Sequence, residues 1–303
     1  FGHSIFLRDF SGEVPRVSDV LLEHLIHFFI FGVDWDNLAI LDACREDLFE
    51  SMNTIAGDDY EVRQSRGSAT KEFLEANCTH RDLRDTVYVT ANPMYRHVSL
   101  DGVFHAVVDV WEDHWDEDRR TVWPEAVVEA TRAARETYPN KRVLTHFMQP
   151  HYPFLGETGE AIAHSGIEWT KRLVEEGESS RDDPTVWTLA SAGELDEETV
   201  RTAYNENLEV VLPHVEELVD GSEGRTVVTS DHGNLIGERI APLDGKRYGH
   251  PLQTDVDGLR KVPWLVVEGG ARRRIESEPP RENEDIDGSV VRNRLSDLGY
   301  VDL

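Results

Sequence analysis

The stretch "RTVVTSDHGN", Arg225 to Asn234, decides how this chain is read. Val227 and Val228 have the character of a buried strand, and the run ends in Asp231, His232 and Gly233. Burying an unpaired carboxylate and imidazole just past such a strand is costly unless something claims both. A metal ion is one such claimant. Gly233, directly after the pair, lets the backbone turn with no Cβ in the way, which suits ligands held rigidly on a tight turn.

Working outward, "NLAILDAC" (37–44) is a second apolar strand that ends in an acid, Asp42. Further strands are expected at "DTVYVTAN" (85–92), "FHAVVDVW" (104–111), "RVLTHFMQP" (142–150) and "KVPWLVVEG" (261–269). Helices are expected at "PEAVVEATRAARETYP" and "DEETVRTAYNENLEVVLPHVEELVDG". In the second, Tyr204, Leu208, Val211, Val215 and Leu218 recur at helical spacing, and Pro213 predicts a kink. The segment "GDDYEVRQSRGSATKEF" reads as a loop, and a short terminal helix should bury Val291, Leu295 and Leu298. Near-continuous apolar strands alternating with helices predict an α/β fold, a central mostly parallel sheet sandwiched by helices. A single domain is expected over 1–303, with 1–34 a helical N-terminal extension and 156–196 an insertion or lid.

Composition narrows the partners. Lys plus Arg number 31 against 59 Asp plus Glu, a net charge of -28, and this field opposes nucleic acid and anionic membrane surfaces. The acids run from Asp9 to Asp302, so they belong to the whole solvated face, as suits a salt-rich halophilic interior. The two cysteines, Cys44 and Cys78, form neither a disulfide framework nor a metal knuckle. The longest apolar run, "LIHFFIFGV" (25–33), is too short to span a bilayer, so no integral membrane segment is expected. Without a visible signal peptide the expected location is cytoplasmic. Oligomeric state is left open.

Four groupings could carry chemistry. Asp42, Asp231, His232 and His250 (in "RYGHPLQ") could form a divalent site of mixed O and N ligands; strand-end caps and a structural histidine are the competing reading. "RQSRGSATKEF" offers Arg66, Ser68 and Thr70, with a nucleophilic hydroxyl or a helix cap as alternatives. "THFMQPHYPFLG" places His146 and His151 around a strand exit. Lys246, Arg247 and His250 are candidates for holding a substrate anion, against a solvated turn.

In order along the chain, "NLAILDACRED", "SRGSATKEF", "LTHFMQPHYPF", "VVTSDHGN" and "YGHPLQTDVDGLRKVPWLVVEG" resemble the alkaline phosphatase superfamily, in its sulfatase-like hydrolase and transferase branch. That resemblance implies an alkaline-phosphatase-like sheet whose strand ends hold a divalent ion, Mn or Zn, through Asp42, Asp231, His232 and the Thr70 oxygen. It implies Thr70 as nucleophile, ahead of Ser68, and His151 and His250 as partners of the transferred group or the leaving oxygen. A second ion is admitted, although no middle Asp-x-x-x-His pair is visible. Arg66, Ser68, Lys246 and Arg247 would contact substrate. The implied reaction is hydrolysis or transfer on phosphate esters or diesters through a phosphothreonine, with a small anionic ester, glycan or lipid head group as substrate. A sulfatase would need a cysteine in a Cys-x-Pro-x-Arg context, which neither Cys44 nor Cys78 has. A sulfatase-type sulfuric ester hydrolase and a scaffold or interaction protein without turnover are the two alternatives.

If the surface acidity is a salt adaptation, unfolding midpoints should rise steadily with KCl. Full stability in dilute buffer would overturn that reading.

Overall fold

The computed structural model describes residues 30–162, 185–241, 244–281 and 286–300. Of the expected N-terminal extension 1–34, residues 1–29 lie outside the described residues, as does the middle of the expected insertion, 163–184; Ile30–Gly32 form a 3-10 turn.

The strands are β1 (Asn37–Leu41), β2 (Asp59–Gln64), β3 (Leu83–Thr90), β4 (Phe104–Asp109), β5 (Trp115–Asp116), β6 (Thr121–Val122), β7 (Arg142–Phe147), β8 (Gly224–Ser230), β9 (Leu235–Glu238), β10 (Arg247–Gly249) and β11 (Lys261–Gly269). Seven of them form one sheet in the order β2-β11-β8-β1-β7-β3-β4. β1 runs parallel to both β7 and β8, and β3 runs parallel to β7 and β4. All five β1 residues are buried, as a strand covered on both faces requires. Helices flank this mixed, mostly parallel sheet, the alkaline-phosphatase-like α/β architecture expected from the sequence.

Register positions the chemistry. Ile40 lies opposite His146 on β7 and Thr229 on β8, and Leu41 lies opposite Phe147 and Ser230. The three central strands therefore end side by side. Asp42, the residues after Phe147, and the Asp231–His232 pair leave the sheet at one edge, where open α/β sheets place their sites.

The helix Pro124–Thr137 packs on β7 and β3 and against the helix Glu197–Asp220. The latter is capped by Asp196, whose side chain accepts from the Thr199 amide, and its first turn carries Glu197 and Glu198. Its predicted stripe, Tyr204, Leu208, Val211, Val215 and Leu218, is buried. Pro213 sits inside the helix without ending it. The terminal helix spans Gly288–Asp297 and buries Val291 and Leu295, and Leu298 just beyond it is buried too.

Two features differ from the sequence reading. The expected loop at 57–73 contains β2 and the start of the helix Thr70–Cys78. β2 is an edge strand with an exposed, charged face, so its apolar signal is faint; Arg63 lies over the Trp264 ring at 4.4 Å. β11 runs antiparallel to β8 and β2, a direction that an apolar run does not specify. Cys44 and Cys78 are free and buried. No described helix is long and apolar enough to cross a membrane.

Candidate metal centre

Asp42, Asp231 and His232 each offer a ligand atom, and these atoms lie within 4.8 Å of one another, all buried. Two short turns hold them there. The Ala43 amide and the His232 amide both donate to Asp231 Oδ1, at 3.0 and 2.9 Å. The Cys44 amide donates to Ser230 Oγ at 2.9 Å, and Tyr204 ties the first turn down by donating to the Ala43 carbonyl at 2.6 Å. Ala43 holds a left-handed φ of 56°, a conformation that costs a non-glycine residue energy and persists only where surrounding contacts impose it. At Gly233 a Cβ would run into the Gly258 carbonyl oxygen, so the turn after His232 requires glycine.

The hydrogen bonds fix which atoms remain free. His232 Nδ1 faces the Gly233 carbonyl at 2.7 Å and so carries the proton. Its Nε2 lone pair is thereby aimed at Asp231 Oδ2, 3.3 Å away, and at Asp42 Oδ1, 3.8 Å away. Among the described residues Asp231 Oδ2 has no hydrogen-bond partner, nor has His146 Nε2, which stands 3.5 Å from Asp42 Oδ2. The other His146 nitrogen is engaged by the Tyr88 hydroxyl at 2.8 Å. Orphaned buried atoms converging on one point fit a cation held by two carboxylates and an imidazole.

Electrostatics agree with that geometry. Burial, and then the charge of Asp231, push the Asp42 carboxyl well above the usual carboxylate range; burial raises Asp231 as well. Burial also lowers His232 to about 4 and, with His232 beside it, His250 to about 3. The imidazoles are therefore neutral, the form that ligates metal, while the two carboxylates call for a countercharge.

Thr70 opens the helix Thr70–Cys78, and its Oγ1 lies 3.2 Å from His232 Nε2 and 3.4 and 3.5 Å from the Asp42 carboxylate oxygens. Ser68 faces elsewhere: its hydroxyl contacts Glu72 and the Pro251 carbonyl, each at 2.9 Å. Arg66 is half-buried just after Ser65, whose hydroxyl donates to the Asp231 carbonyl. His151 and His250 face each other through their Nε2 atoms at 2.9 Å, and the His250 ring lies 4.7 Å from that of His232. Lys246 pairs instead with Glu197 at 2.8 Å, and Arg247 is exposed on the small β9–β10 ribbon. Of that segment, His250 is the residue brought against the buried histidines.

Sequence reasoning missed Asn92 and Tyr300. Asn92 donates to Asp42 Oδ2 at 2.6 Å, and the Tyr300 hydroxyl lies 3.0 Å from Thr70 Oγ1. Asn92 follows the end of β3 in "TAN", a signal of the same kind as Asp42. Tyr300 arrives from a distant segment and had no local signal.

No family model and no curated protein matches this chain. Among solved structures, 33 chains match. One is the integral membrane protein lipooligosaccharide phosphoethanolamine transferase A from Neisseria meningitidis, 13% identical, with a TM-score of 0.46, covering 77% of this chain and 47% of that one. A second is the C-terminal periplasmic domain of EcEptC from Escherichia coli in complex with Zn, 13% identical, TM-score 0.48, over 77% of this chain and 72% of that one. A third is a protein in the alkaline phosphatase superfamily from Vibrio parahaemolyticus, 10% identical, TM-score 0.41, over 87% and 65%. The chain thus spans about half the length of the Neisseria protein. The likeness concerns fold alone. The cytoplasmic expectation is corrected: the similar chains include an integral membrane protein and C-terminal periplasmic domains.

Asp231→Asn separates the two roles of this carboxylate. The amide keeps the Oδ1 contacts and removes one buried charge, so the metal-free variant should melt at or above the parent. Zinc should stabilise the parent by about 2.7 kcal/mol at a concentration of about 100 Kd and leave the variant unmoved, as read by thermal denaturation. An equal zinc response in both would contradict the assignment.

Proposed function

We propose that this chain is a metal-dependent hydrolase or transferase acting on phosphate esters or diesters, with Thr70 as its nucleophile. The observation that carries the proposal is the position of Thr70 Oγ1 beside Asp42 and His232, on the first residue of a helix whose free N-terminal amides favour an oxyanion. A divalent ion held by Asp42, Asp231 and His232, with the Thr70 oxygen in reach, would supply Lewis acidity, which favours loss of the hydroxyl proton and offsets charge on phosphoryl oxygens. Zinc and manganese both suit this donor set.

The chain's own residues account for the rest. Thr70 Oγ1 attacks phosphorus in line, forming the Oγ1–P bond as the bond from phosphorus to the leaving oxygen breaks. The Asp42 carboxylate lies in reach of the threonine proton. His151 turns its Nδ1 to the Tyr152 carbonyl and so donates there, which leaves its Nε2 to accept from the Nε2–H of His250. When His250 turns its Nε2–H from His151 to an incoming oxygen, the pair offers one hydrogen bond to the transferring group. Once the anion has raised its proton affinity, the pair can supply the proton that the departing oxygen takes up. Water or an acceptor alcohol then displaces Thr70, which separates hydrolase from transferase. Arg66 is retained as a substrate-binding candidate, whereas the surface positions of Lys246 and Arg247 give them no part in this mechanism.

The test is acid quenching after incubation of zinc- or manganese-loaded protein with bis(p-nitrophenyl) phosphate, followed by peptide mass analysis. The expected result is a p-nitrophenyl phosphoryl adduct on Thr70 with release of one p-nitrophenolate, and a loss of about 10³-fold or more in turnover for Thr70→Ala. An adduct on Ser68, or release from an aryl sulfate in place of the phosphate diester, would contradict the proposal. No turnover of either ester would favour a scaffold.

A further inference from the structure

The side chain that fills the space in front of Thr70 comes from the chain itself. Tyr300 lies just beyond the helix Gly288–Asp297, its amide bonded back to the Leu295 carbonyl at 3.0 Å across Gly299, whose φ is +82°. Its ring stacks on His151 at 5.4 Å with 10° between planes and lies 5.6 Å from His250. Its hydroxyl stands 3.0 Å from Thr70 Oγ1 and 3.1 Å from Asn92 Nδ2.

The directions of these hydrogen bonds can be assigned. Asn92 Oδ1 accepts from the Met94 amide at 2.8 Å, which fixes the amide orientation. Asn92 Nδ2 then spends one proton on Asp42 Oδ2 and directs the other at the Tyr300 oxygen. The phenol therefore accepts from Asn92, and with the Thr70 hydroxyl turned to donate to the Asp42 carboxylate, the phenol proton is the one directed at Thr70 Oγ1. A donated proton occupies a lone pair of the proposed nucleophile, and the ring occupies the space between Thr70 and the histidine pair. A phosphoryl group must enter that same space. Tyr300 is half-buried.

We propose that Tyr300 is a built-in plug that a phosphoryl substrate must displace, and that the segment Gly288–Tyr300 is the latch that carries it. The latch is anchored by Val291, Leu295 and Leu298, with its helix packed on the 3-10 turn Pro93–His97. On its outer side Arg294 pairs with Glu117 at 2.6 Å and lies over the Trp115 ring. This proposal rests on the reading of Thr70 as the phosphoryl-accepting group.

The experiment measures binding of inorganic phosphate to the zinc-loaded protein by calorimetry, in parallel with adduct formation on Thr70 from bis(p-nitrophenyl) phosphate with release of p-nitrophenolate. If the plugged state dominates, Tyr300→Ala should tighten phosphate binding about tenfold and speed Thr70 labelling, because the fraction of protein open to ligand rises. Tyr300→Phe, which keeps the ring, should change affinity by less than about twofold. Should Tyr300→Ala fail to fold, Tyr300→Leu keeps apolar packing and should shift affinity in the same direction by a smaller factor. Unchanged or weaker phosphate binding in the folded Ala or Leu variant would overturn the plug and make Tyr300 a residue that helps hold the anion. Tighter phosphate binding with no adduct on Thr70 in any variant would uphold the plug and defeat the nucleophile reading.

Discussion

Two carboxylates share one buried point at the edge of the sheet, and the rest of the site depends on how their charge is offset. Asp42 and Asp231 have no measurable exposure, and their nearest companions are neutral imidazoles and amide or hydroxyl dipoles. Dipoles can tune such a pair but do not supply a full positive charge. A cation at this point satisfies Asp231 Oδ2 and the His232 lone pair together, and it explains why a left-handed Ala43 and a glycine-only turn are maintained around it.

The sheet is what forces the two acids together. β8, β1 and β7 lie side by side in parallel and in matched register, so whatever follows the last strand residue of each meets at one edge. That is why the centre was legible in "LDAC" and "TSDHG": a strand-end acid in a buried parallel strand has a predictable address. The helix stripe from Tyr204 to Leu218 was legible for a similar reason, since period and burial coincide along it. What failed to show was carried by other physics. β2 is an edge strand with a charged face and gives almost no apolar period. Tyr300 reaches the site only because a helix distant in sequence packs near the Pro93–His97 turn. Lys246 and Arg247 stood out because cations are scarce here; Lys246 meets an acidic neighbour, Glu197, at the surface.

The same excess of acid shapes the molecule at two scales. At the surface many arginines are paired, as in Arg272 with Asp34 at 2.6 Å and Arg225 with Glu268 at 2.7 Å, in places where solvent and salt screen each pair. At the strand ends no such screening exists, and the negative charge is concentrated where an anionic ester is proposed to react. A bound cation would turn a repulsive pocket into one that accepts phosphate, so the countercharge is a condition for substrate entry as well as for chemistry.

The most direct measurement is anomalous diffraction from crystals grown with zinc and collected on both sides of the zinc absorption edge. The account predicts one strong peak bounded by Asp42, Asp231 and His232, within bonding distance of the freed Asp231 Oδ2 and His232 Nε2. No peak there, with zinc bound elsewhere or not at all, would contradict the claim that this buried cluster is a metal centre.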